Sequence, residues 1–75
     1  MKRYEYLVVR QEDGHVITAN GHWQGETPRD EPGDYESCPD LVSYLEEAGA
    51  QGWDLVAIDA EEVGSAVLYF KRERG

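Results

Sequence analysis

Two segments of this chain are apolar on both faces, and only one segment can form a helix to cover them. In Arg3–Arg10, RYEYLVVR, residues Tyr4, Tyr6 and Val8 alternate with Glu5, Leu7 and Val9. The β-branched and aromatic content predicts a strand. Successive strand side chains point to opposite faces, so this strand needs cover on two sides. Ala66–Arg72, AVLYFKR, repeats the pattern with Val67 and Tyr69 against Leu68 and Phe70. One helix covers one face of a small sheet. The other face keeps tyrosines and aliphatic side chains, the kind of patch that marks a protein–protein contact.

The length sharpens this mismatch. With 75 residues the chain makes a single domain, 1–75, and a chain so short buries only about 60% of its unfolded surface. Such domains lean on disulfides, a metal or a partner subunit. Cys38 is the only cysteine, so no disulfide forms within one chain. A lone thiol fits a reducing, cytoplasmic setting. No apolar run approaches the roughly 20 residues of a membrane span, and the expectation is no membrane partner. The net charge of −9 is uneven: eight acids and one base, Arg29, lie between Glu26 and Glu47. An acidic half argues against nucleic acid, whose phosphates require clustered Lys and Arg.

The remaining elements follow from local signals. Asp13-Gly14 between extended flanks predicts a two-residue hairpin turn, with Gly14–Ala19 as the return arm. Asn20-Gly21 ends that arm, and His22 to Cys38 reads as a long punctuated loop without periodicity. SCPDLVSYLEEAGAQG predicts the one helix, with Ser37 or Cys38 as cap, Pro39 in the first turn and Asp40 favouring the dipole. Leu41, Val42, Leu45 and Ala48 form its apolar stripe, flanked by Tyr44. Gly52 suits a left-handed cap. Trp53 then falls at the helix–sheet corner and opens the strand WDLVAID. The expected fold is α+β: an antiparallel sheet of three to four strands, β-(β)-α-β-β, packed on one helix. Its strand order is hairpin arm, first strand, last strand, Trp53 strand.

Chemistry is harder to place. His15 and His22, with Cys38 or the loop acids, match no established zinc spacing, and no metal site or cofactor is expected. Cys38 at a helix start has no histidine in a catalytic pattern beside it. No paired carboxylates and no phosphate-cradling glycines appear. The expectation is a protein with no catalytic residues, not an enzyme. Trp23, between His22 and Gln24, either folds back over the core edge or stands out as an anchor for a partner.

YEYLVV at Tyr4–Val9, LEEAGAQGWDLVAI at Leu45–Ile58 and LYFKR at Leu68–Arg72 together resemble the small bacterial family called domain of unknown function 4177. Its members open on a Tyr-Glu-Tyr strand, carry Gly-x-x-Gly-Trp-Glu-Leu-Val after the helix and close on Phe-Lys-Arg. Asp54 stands in place of the usual Glu. The resemblance covers about half of the chain and implies the β-α-β-β core, with residues 11–38 as an insertion; it implies no activity. Leu7 stands where the family often has a charged residue, which makes the outer side of the first strand more apolar. The functional expectation is a non-enzymatic protein-interaction module, homodimeric or docked on a larger protein, with Trp23, His22, Tyr6 and Leu7 as candidate binding residues. The alternative is a ligand- or metal-binding regulatory domain built on the 15–38 loop.

Overall fold

A computed structural model describes residues 1–74 of the chain. The elements run β1 (Tyr4–Glu12), β2 (His15–Ala19), β3 (His22–Trp23), a 3₁₀ turn (Tyr35–Ser37), α1 (Leu41–Ala50), β4 (Asp54–Glu62) and β5 (Ser65–Glu73). They form one five-stranded sheet of order β3-β2-β1-β5-β4. Every neighbouring pair is antiparallel. The α+β class and the expected strand order hold, with one strand more than the upper expectation of four.

The extra strand comes from a second tight turn. Asp13 and Gly14 have φ of 49° and 83°, and Asn20 and Gly21 repeat this at 50° and 81°. Two successive positive-φ residues match the right-handed twist of flanking strands. Asn20-Gly21 therefore reverses the chain into β3 rather than simply ending the hairpin arm.

The register fixes the two faces. Leu7 pairs with Phe70 and Val9 with Leu68, and residues directly opposite share a face. These four and Val16 form the core under the helix, with Leu41, Tyr44, Leu45 and Trp53 packed against them. Leu7 is thus a correction. It belongs to the covered face, 9% exposed, rather than to an outer side of β1. The face away from the helix carries Tyr4, Tyr6 and Val8 of β1 and Tyr69 of β5, at 37%, 64%, 38% and 37% exposure. Val42 also departs from the expected stripe: it stands 62% exposed on the helix flank.

The helix start is a second correction. Asp40, in extended conformation, is the N-cap, and its carboxylate accepts from the Ser43 N–H at 3.1 Å. Ser37 closes the separate 3₁₀ turn, and Cys38 and Pro39 lie outside α1. A carboxylate that reaches the third helical amide satisfies one of the orphan donors of the first turn. The segment before the helix is sewn to β2: the Val16 N–H donates to Pro39 O and the Leu41 N–H to Gly14 O, both at 2.8 Å.

Candidate functional site

Trp23 organises its own loop. Its indole N–H donates to the Thr27 carbonyl at 3.0 Å. The Tyr35 ring lies 5.9 Å away and the Arg29 guanidinium sits 5.2 Å from the indole centroid. The loop closes through Ser37, whose hydroxyl accepts from the Thr27 N–H at 3.1 Å and donates to Asp34 O at 2.6 Å. Gly25 passes so close to the ring that a Cβ there would stand 2.8 Å from Trp23 and 2.6 Å from Ser37 Oγ. The side chain is half-buried, between the two alternatives the sequence left open.

The other candidates are not brought into one cluster. Tyr6 and Leu7 are neighbours on opposite faces. Trp23 pairs with Thr18 and Thr18 with Arg10, which places Trp23 on the Tyr6 face by register. His22 is exposed and pairs with Ala19. His15 begins β2, four residues from that Ala19, or about 13 Å along a strand, and its Nδ1 lies 3.2 Å from Cys38 O. Among the described residues no group of three or more His, Cys, Asp or Glu side chains could hold a metal ion. Cys38 is buried, and desolvation, reinforced by the Asp34 charge, pushes its thiol above the ordinary range. A protonated thiol is the poorer nucleophile.

Two features that periodicity did not single out stand beside these. The first is a cleft of about 290 Å³ at the flank of α1. Its lining includes Tyr44, Glu47 and Ala48 of the helix together with Leu7, Gln24 and Trp53. Burial raises the Tyr44 phenol above its ordinary value, and the Glu47 charge adds to this. Trp53 is held from behind by the Arg72 guanidinium, 4.2 Å from its ring centroid. Arg72 in turn donates to Glu5 and to the Gln51 carbonyl, each at 2.9 Å.

The second feature is β4, an edge strand of nine residues in which every position is exposed. Leu55, Val56 and Ile58 are 44%, 51% and 60% exposed. The opposite edge is shielded. There β2 is flanked by the two residues of β3 and by the Val16–Pro39 and Gln24–Ile17 backbone bonds.

No helix among the described residues is long and apolar enough to cross a membrane. Compared with known proteins, the chain matches no family model, no curated protein and no solved structure.

Proposed function

We propose that this chain is a small non-enzymatic protein-interaction module of the bacterial cytoplasm, self-associating as a homodimer or docking on a larger protein. The observation that carries the reading is β4: nine residues at an open sheet edge, exposed throughout, with three large aliphatic side chains in water. Natural sheets usually blunt or cover such an edge. The tyrosine face of β1 and β5 adds to the uncovered apolar surface. Membership of the domain of unknown function 4177 family is part of the same proposal and rests on the three motifs quoted above.

A photo-crosslinking side chain at Val56, introduced in living cells, tests the reading. The expected product is a covalent adduct, either at twice the chain mass or with a larger protein. Recovery of uncrosslinked monomer alone overturns it.

The second reading, a ligand-binding regulatory domain, draws support from the cleft beside α1, to which Gln24 and Pro39 of the 15–38 segment contribute. Loss of Trp53 emission change on addition of every metabolite class tried would remove that support.

A further inference from the structure

We propose that the occupant of the β4 edge is an extended segment of another protein that alternates apolar with basic residues, added as a sixth strand. This rests on the interaction-module reading and specifies the partner.

The argument begins with which side chains β4 shows on each face. Leu55 pairs with Phe70, Ile58 with Leu68 and Ala60 with Ala66, so all three share the helix-bearing face. Ala57 pairs with Tyr69 and Asp59 with Val67, which places them on the opposite face. Bulges fall between Leu55 and Ala57 and between Ala60 and Glu62. The edge therefore shows Leu55, Ile58 and Ala60 on one face and Ala57 and Asp59 on the other, with Asp54 opposite Lys71. Asp54 and Glu62 bound it at its ends, and Glu61 is ion-paired to Arg10.

A second copy is a poor occupant of this edge. A two-fold antiparallel pairing centred on Ile58 sets Asp54 of one copy against Glu62 of the other. Centring it on Asp59 sets that residue against itself. Like charges directly opposite destabilise a strand pair, and acidic side chains on an edge are a known guard against self-pairing. The same acids favour a strand of opposite sign. A segment of period two satisfies both faces at once: apolar side chains extend the Leu55–Ile58–Ala60 row, and Lys or Arg lie beside Asp59 and the terminal acids. Main-chain hydrogen bonds supply affinity in this mode and alternate side chains supply specificity. The net charge of −9 steers a basic segment toward the domain over distances of about a Debye length.

The test uses the full chain and fluorescent nine-residue peptides, read by anisotropy and by amide hydrogen exchange. A peptide alternating Val and Lys should bind saturably and slow exchange in β4, with affinity falling as salt rises. The alternating Val and Glu peptide should not bind. Of two Val-Lys peptides methylated on alternate backbone nitrogens, one on the Val and one on the Lys residues, one should lose binding and the other keep it, since only one set of N–H groups points at β4. Asp59→Asn with Glu62→Gln should weaken binding about tenfold, roughly 1.4 kcal/mol.

Equal binding by a peptide of the same composition with its Val and Lys in separate blocks would overturn the proposal. So would undiminished binding by both N-methylated peptides, or no binding by any of them. If the peptides fail while Val56 still crosslinks to another protein, or if Val56 crosslinks to a second copy, the interaction-module reading stands and only the identity of the occupant falls. If both fail, both fall.

Discussion

The Trp53 amide donates to the Ala48 carbonyl at 3.0 Å, across the left-handed Gly52, whose own amide donates to Gly49 O at 3.0 Å. This pair of bonds is a Schellman motif, and it explains why tryptophan follows glycine at the junction of α1 and β4. Gly52 takes φ of 89°, where a Cβ crowds the following carbonyl. Gly52→Ala should cost about 1–2 kcal/mol. Chemical denaturation would show it as a lower midpoint at unchanged slope. A midpoint equal to the parent's would mean that the helix does not end in this way.

Trp53 itself is half-buried against the core and covered on one face by Arg72. Fully buried aromatics cost about 3–5 kcal/mol on truncation, and partial burial should place Trp53→Ala at about 2–3 kcal/mol. Arg72→Ala should cost less and should also shift Trp53 emission, because the guanidinium leaves the ring. A Trp23→Phe background isolates the signal. Emission unmoved by Arg72→Ala would rule out the stack.

Much of this junction was legible in the sequence. Gly52-Trp53 followed by alternating LVAID announces a cap and a strand, and Asp13-Gly14 announces a hairpin. Asn20-Gly21 carries the same chemistry as Asp13-Gly14, yet β3 is not legible because two residues offer no periodicity to recognise. Ser37 and Cys38 were plausible caps because Pro suits a first helical position. Asp40 takes the role because its carboxylate reaches Ser43. Alternation places Tyr6 and Leu7 on opposite faces without saying which one the helix covers; that depends on the crossover of α1, a tertiary fact. The contacts of Trp23 with Thr27, Arg29 and Tyr35 lie within an aperiodic loop, where no pattern rule reaches. The expected strand order already puts β4 at an edge; that all nine of its positions stand exposed depends on where α1 packs, which alternation does not give.

Gly25 reports on the Trp23 loop. A methyl group there meets the indole and Ser37 Oγ at distances that neither can keep. Gly25→Ala should displace the ring and break the Trp23–Thr27 hydrogen bond. Overpacking of this kind costs about 1–3 kcal/mol. Red-shifted Trp23 emission in a Trp53→Phe background is the direct readout, and unshifted emission would show that the loop accommodates the methyl elsewhere.

Cys38 should resist thiol reagents while the chain is folded. The side chain is 4% exposed, and its pKa is raised, first by burial and then by Asp34. A raised pKa means that the folded state prefers the thiol. The stabilisation from this group is complete below the unfolded thiol value and is lost as pH rises through the higher folded one. Labelling by a disulfide reagent at neutral pH should therefore follow global unfolding, and Cys38→Ser should flatten the alkaline limb of the stability profile. Prompt stoichiometric labelling of the native protein would contradict the burial.

The acid limb should belong in part to Glu5. Its carboxyl is held below the ordinary value chiefly by the hydrogen bond from Arg72, with the Arg72 and Arg74 charges adding to it. The sign is opposite to that of Cys38. A depressed pKa gives stabilisation that is present above the unfolded carboxyl value and lost as pH falls through the folded one. The pair is partly exposed, at 31% and 39% for the two side chains, and added salt screens such contacts. Its larger consequence is positional, since protonated Glu5 frees the guanidinium that stacks on Trp53. Acidification through the carboxylate range should then change Trp53 emission before the chain unfolds. Glu5→Gln should show the acid-side emission already at neutral pH. A parent protein whose emission and unfolding move together at every pH would separate Glu5 from the packing of Trp53.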